Sequence, residues 1–300
     1  MKQIDFSCKH NILLEDEDGG LTPMDEPYFR AAEIKPRTWR ILSDGDYSYL
    51  IEGHEEALVI DSGYGAGNIR EFCQTLTDLP IRRIANTHDH FDHTANNCYF
   101  DLAYMSEETR PLATIPFPSF EGIAFPRDYQ IEIVDDKDTI PLKGRDLLVF
   151  KIPDHAVGSL SFLDKKERIL FTGDEIGMPM GKPLNGSVMR WLSYMEKLSQ
   201  YRDDFDIICA GFGVLDAKII EQYLENARHI LLGNEGILSE PIPFPNFSRQ
   251  TPDGRTVWKR QLPHPGDGPK NWGEGREFKR VMEYAGCRII YDIRRINESQ

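Results

Sequence analysis

Several things are scarce in this chain of 300 residues, and each scarcity narrows what it can be. Cysteine is one: Cys8, Cys73, Cys98, Cys209 and Cys287 are scattered, none forms a C-x-x-C pair, and their number is odd. That argues against a disulfide framework and for reduced thiols. Long apolar runs are another. No stretch of about eighteen apolar residues occurs, so no transmembrane helix is expected. The opening MKQIDFSCKHNILLEDEDGG lacks the apolar centre of a secretory signal, which points to a cytoplasmic protein. Basic charge is also in deficit. Against 49 acidic side chains stand 35 basic ones, a formal net charge of −14. Such a field repels a phosphate backbone, so neither nucleic acid nor a membrane is expected as partner. The short basic clusters at 81–84, 254–260 and 292–296 read as solvated faces. There is no internal repeat of fixed period.

What remains is a globular balance, 40% hydrophobic and 28% charged, in a length that suits one large domain with or without an appendage. Residues 1–35 read as an irregular arm and 36–233 as the core. Residues 234–300 read as a Pro- and Gly-rich tail, with a closing helix and strand that complete or cover the core. Within the core, YSYLIEG and EALVIDSG predict an antiparallel hairpin. NIREFCQTLTDL predicts a helix, and SLSFLDKKERILFTG a second hairpin. The periodicity of 187–201 and 215–233 predicts two further helices, the latter stopped by Gly233. Helices alternating with hairpins imply mixed sheets, and this many short strands call for two sheets with helices outside.

Histidine is rare too, with eight in the chain, yet three fall within six residues of ANTHDHFDHTANN. His88 and His90 are two apart, a spacing that points both imidazoles one way on an extended strand. Asp92 and His93 follow at the turn. Imidazole and carboxylate together suit zinc, or iron and manganese where oxygen ligands dominate. The bland alternative is a polar loop whose His and Asp form turns. Two downstream segments weigh against it: KIPDHAVGSLSF, with His155 after an apolar strand, and ILFTGDEI, with Asp174 ending one.

These segments resemble the metallo-β-lactamase superfamily over about residues 38–232. THDHFDH is similar to its H-x-H-x-D-H signature, PDHAVGS to its next histidine segment (with Asp154 in place of the usual glycine), and FTGD to its bridging-aspartate segment. LVIDSG resembles an early strand whose aspartate, here Asp61, stands behind the metals. The resemblance implies an α/β (α+β) fold, an αββα four-layer sandwich of two mixed β-sheets. It further implies one ion on His88, His90 and His155, and a second on Asp92 and His93, with Asp174 bridging. Asp92 would orient or deprotonate a water, and Asp61 would fix a histidine tautomer.

One position departs from the pattern. Where the family supplies a last histidine within a Gly-His-Gly turn, this chain has Gly211-Phe212-Gly213. Three explanations stay open: a one-ion enzyme, another side chain such as His264 reaching in, or a binding protein without activity. Cys209 is expected to pack in the core instead. On one or two zinc ions, the expected activity is hydrolysis of a small-molecule ester, thioester, lactone or amide. The alternative is oxidation of a sulfur compound by a single iron. Candidate pocket residues are Phe117, Phe120 and Phe125 in a Pro/Phe-rich loop, with Met178, Arg190, Trp191 and Phe212. Lys182 is a further contact for an anionic substrate, and Trp258, Arg260 and Trp272 are candidates for a lid or a homodimer contact.

Overall fold

The computed structural model describes residues 3–239, 248–260 and 275–297. Among these, two large sheets lie face to face. The first has seven strands, in the spatial order Arg30–Lys35, Thr38–Leu42, Ser48–Glu52, Ala57–Ile60, Ile81–Ala85, Leu102–Met105 and Gln130–Ile133. It is antiparallel through Ala57–Ile60 and parallel beyond. The second has six, Thr139–Ile140, Leu147–Lys151, Leu160–Asp164, Ile169–Gly173, Ile207–Ala210 and Gly213–Asp216. Both expected hairpins form, and both sheets are mixed.

Strand periodicity assigns the layers. Leu58 points between the sheets while its neighbour Val59 joins the outer face of the first; Phe171 and Leu170 divide the same way on the second. The inter-sheet core therefore joins Ile51, Leu58 and Ile60 to Val149, Phe162 and Phe171. Cys209 is buried there, as its place in an apolar strand predicts. Strands apolar on both faces need cover on both. Helix Ile69–Gln74 covers the first sheet with Ile69 and Cys73. Helices Val188–Ser199 and Ile219–Leu231 cover the second with Trp191, Met195, Ile220 and Tyr223. This is the αββα sandwich. No helix among the described residues is long and apolar enough to cross a membrane.

Two expectations need correction. The arm is not irregular: Ile12–Glu15, Leu21–Pro23 and Arg30–Lys35 are strands. Ile12–Glu15 pairs in parallel with Thr256–Lys259, so the first residues and the tail hold each other in a small sheet. The closing helix is also a strand. Lys279–Tyr284 pairs antiparallel with Cys287–Asp292. Ala285 and Gly286 have φ of 53° and 83°, the two positive values that a tight hairpin turn requires. The turn chemistry and the partner strand outweigh the helical spacing of EFKRVMEY.

Candidate metal centre

The chemistry-bearing residues meet at one edge of the sandwich, where five strands end. Asp61 follows Ala57–Ile60, and the His88–His93 segment follows Ile81–Ala85. In the second sheet His155 follows Leu147–Lys151, Asp174 follows Ile169–Gly173, and Gly211 follows Ile207–Ala210. Open α/β sheets place ligands outside the carboxyl ends of their strands, and four of these five strands belong to the parallel pairs Ala57–Ile60 with Ile81–Ala85 and Ile169–Gly173 with Ile207–Ala210.

His88, His90 and His155 bring one ring nitrogen each within 4.8 Å of one another. His155 Nε2 is 3.0 Å from His90 Nδ1. The hydrogen bonds fix the tautomer of His88. Thr87 Oγ1 donates to Asp61 Oδ2 at 2.7 Å, so at 3.1 Å from His88 Nδ1 it must accept. Nδ1 therefore carries the proton, and Nε2 presents a bare lone pair. That atom is buried and has no partner, on a residue only 1% exposed. Leaving it so costs about 1–3 kcal/mol unless something accepts the lone pair. Burial, then the neighbouring histidines, hold His88 well below the ordinary imidazole range; burial pushes His155 down to about 3. Both are neutral near pH 7, the state a metal ligand requires. The donor set fits a divalent ion.

The backbone reason differs from the expected strand-end alternation. The strand stops at Ala85, residues 87–89 bend, and His90 begins the short helix Phe91–Thr94, which carries His93. His93 is fully buried, with Nδ1 2.9 Å from Asp61 Oδ2. Asp61 also accepts from Thr87 N at 2.8 Å. Its φ of 57° is a left-handed value that Asp tolerates better than most side chains. One carboxylate thus orients His93 directly and His88 through Thr87.

On the opposite edge of His93, Nε2 faces Asp174 Oδ1 at 3.4 Å, Asp92 Oδ1 at 4.0 Å and Asp46 Oδ2 at 3.0 Å. Asp46 escaped the sequence reading. It sits in the turn between Thr38–Leu42 and Ser48–Glu52 and is 5% exposed. Its segment SDGDYS carries only turn chemistry, and nothing in the spacing links it to His93, 47 residues on. Burial first, and then the Asp174 charge, raise its carboxyl well above the usual range. The turn is docked by Tyr47 N donating to Gly211 O at 2.8 Å.

Glu175 is the second residue missed. It accepts from the backbone N–H of His155, at 2.6 Å, and of Asp154. Lys182 reaches both Glu175 Oε2, at 2.8 Å, and Asp154 Oδ2, at 3.1 Å. All three side chains are buried. Lys182 is therefore no substrate contact but the cation of a buried trio that fixes the His155 loop. Asp154, which breaks the resemblance before the histidine, belongs to that trio and also accepts from Gly186 N.

The other candidates divide. A cavity of about 550 Å³ is lined by Asp89, His90, His155, Leu112, Val157 and Arg190, among others. Arg190 is thus beside the histidines. Trp191, fully buried, packs edge-on to Tyr223 in the helical core instead. Phe120 is fully buried, and with Phe117 and Phe125 it packs on Phe91 and Tyr64 behind the metal loop, forming core and not pocket wall. Met178 lines a separate cavity of about 770 Å³ against the carboxyl-terminal hairpin. Phe212 is half-buried and lines neither. Trp258 packs on the first core, and Arg260 holds the turn before Asp46 through a bond to Ser43 O. His264 and Trp272 lie outside the described residues.

A family profile described as metallo-beta-lactamase superfamily matches residues 44–239. The chain belongs to that superfamily. Among its curated relatives, an acyl-coenzyme A thioesterase MBLAC2 from Homo sapiens is 30% identical over 185 residues, covering 51% of this chain and 63% of the relative. A hydroxyacylglutathione hydrolase from Edwardsiella ictaluri (strain 93-146) is 23% identical over 197 residues, covering 65% and 70%. The superfamily fold is also that of a metallo-beta-lactamase from Pontibacter korlensis, superposed with a TM-score of 0.53 at 17% identity over 67% of this chain and 99% of that one. This chain thus spans somewhat less than two thirds of its thioesterase relative.

Proposed function

We propose that this superfamily member is a metal-dependent hydrolase of thioesters. The observation that carries the reading is the bare, buried Nε2 of His88, set with His90 and His155 beside a cavity of about 550 Å³. The names of the two relatives, both hydrolases of acyl compounds, support the substrate class. The ion assigned to the three imidazoles is zinc, whose catalytic sites commonly keep three protein ligands and an open position. A divalent ion held there lowers the pKa of a bound water and polarises a carbonyl.

The chain's own residues do the remainder. Asp92, half-buried beside His93, is the carboxylate assigned to orient a water and take its proton. The water oxygen bonds to the thioester carbon, the C–S bond breaks, and the thiolate leaves with the proton. Carboxylic acid and thiol are the products. Leu112 and Val157, both exposed to solvent, offer apolar surface to the acyl chain. Arg190 offers a cation to an anionic thiol carrier on the same wall.

The test is release of thiol from acyl-coenzyme A and acylglutathione substrates by protein stripped with chelator and then reloaded. Turnover is expected only after reloading with zinc. Thiol release unaffected by chelation, or none on either class with zinc bound, would sink the proposal. Elemental analysis of protein purified without added metal separates zinc from iron.

A further inference from the structure

The second half of the metal motif is richer in carboxyl groups than in imidazoles. Asp46, Asp92 and Asp174 all approach the Nε2 edge of His93, while Asp61 holds its Nδ1 edge. Four carboxylates thus crowd the two edges of one imidazole in a largely buried site. Carboxylates gathered around one buried imidazole are the donor set of a cation site. Two oxygens are also stranded: Asp92 Oδ1 and Asp174 Oδ1 are buried and have no hydrogen-bond partner, and Asp174 as a residue is 5% exposed.

The geometry is that of a coordination shell. The ligand atoms of Asp46, Asp92 and His93 all lie within 4.8 Å of one another, as do those of His88, His93 and Asp174. Ligands about 2.0–2.2 Å from one ion stand roughly 3.0–3.5 Å apart. Asp46 Oδ2 and His93 Nε2, at 3.0 Å, match that edge. Gly211 shows that the two sheets contribute to the same space. A Cβ built on it would lie 2.2 Å from Asp174 Oδ1 and 2.6 Å from Asp46 Oδ2. Both carboxylates press against the backbone one residue before Phe212, the position from which an imidazole is missing.

We infer that Asp46 takes the place of that imidazole, completing with Asp92, His93 and Asp174 a second divalent-cation site. It rests on the reading of the first site as a metal centre. Three carboxylates and one imidazole make this site harder than the three-imidazole site beside it, and oxygen-rich sets suit manganese and iron more than histidine-rich ones do. The chain then holds two ions in spite of Phe212, and the two differ in preference.

The experiment is titration of stripped full-length protein with zinc and, separately, with manganese, read by calorimetry, elemental analysis and electron paramagnetic resonance. Wild type is expected to bind two equivalents, and two manganese ions held in adjoining sites would show a spin-coupled spectrum. Asp46→Asn keeps an oxygen that can accept from His93 but loses the anionic ligand. It is expected to retain one equivalent and bind the second at least tenfold more weakly. The equivalent retained on His88, His90 and His155 reports that the variant has folded. Two equivalents with unchanged affinity in Asp46→Asn would reduce Asp46 to a hydrogen-bond acceptor and overturn the inference. So would a wild type that binds a single ion, a result needing no variant. Either leaves the hydrolase reading standing, whereas a wild type that binds no ion removes that reading as well.

Discussion

Asp61 and His93 come from different strand ends, yet they meet at 2.9 Å, with Asp61 Oδ2 on the ring nitrogen that faces away from the other carboxylates. The same carboxylate takes both donors of Thr87 and so sets the His88 tautomer at one remove. Asp61→Asn preserves the shape and the tolerance for positive φ. Its amide cannot accept all three bonds, so at least one buried donor loses its partner, at a cost of about 1–3 kcal/mol. Affinity for the ions is expected to fall roughly 10–100-fold, the usual effect of removing such a supporting carboxylate. Chelator competition and urea unfolding read the two effects separately. Wild-type values in both would show that the Thr87 and His93 contacts do not orient ligands.

The buried trio of Lys182, Asp154 and Glu175 makes a different prediction. Burial lowers the Lys182 pKa, but the two carboxylates outweigh it and the ammonium stays charged. Lys182→Met strands two buried anions, for which a loss of about 3–5 kcal/mol is expected. Glu175→Gln is milder for the fold but weakens the acceptor on the His155 N–H, so it should loosen the ion on His88, His90 and His155. The unfolding midpoint at constant m-value measures the first, and zinc affinity the second. Equal stability of Lys182→Met and wild type would disprove the ionic account of the His155 loop.

The sequence made some of this legible and hid the rest for physical reasons. Period-two alternation and apolar helix faces carry enough signal to read the sandwich. His88, His90, His93, His155, Asp174 and Asp61 are brought to one edge because the motif segments directly follow apolar strands. Asp46 was invisible because it precedes its strand instead of following one, and turns are rich in aspartate for local reasons. Glu175 was hidden because its partners are backbone N–H groups, which any residue possesses. The aromatic loop is hard to place because a Pro- and Phe-rich stretch suits a pocket wall as well as a core. In fact Phe117, Phe120 and Phe125 find Phe91 and Tyr64 beneath them. The terminal strand Lys279–Tyr284 was misread because its apolar spacing also fits a helix.

Gly211 ties the two sheets together at the site. Its N–H donates to Gly173 O and its carbonyl accepts from Tyr47 N. Gly211→Ala would place a methyl group 2.2 Å from Asp174 Oδ1 and 2.6 Å from Asp46 Oδ2, closer than any real contact. The carboxylates must move, because the backbone is held on both sides. Ion content is therefore expected to fall in a variant whose core is otherwise intact. Elemental analysis beside a circular-dichroism melt tests this, and full loading with unchanged affinity would mean the turn yields freely.

Arg190 and Trp191 are adjacent in sequence and opposite in consequence. They stand in the first turn of helix Val188–Ser199, whose Ser187 cap accepts from Arg190 N at 3.1 Å. Trp191 turns inward, fully buried beneath Lys182, whose ammonium lies 4.7 Å from the ring centre. Arg190 turns toward the cavity shared with His90 and His155. Trp191→Ala should cost about 3–5 kcal/mol of stability, as removal of a large core side chain does. Arg190→Met keeps the apolar stem and removes the charge, so folding and metal content should match wild type. If the guanidinium meets an anionic thiol carrier, KM for such thioesters should rise about tenfold while kcat changes little, the sign of binding shared by ground and transition states. Uncharged thioesters of the same acyl chain should show no such rise. An equal loss on charged and uncharged substrates would assign Arg190 to the shape of the pocket instead of to recognition of charge.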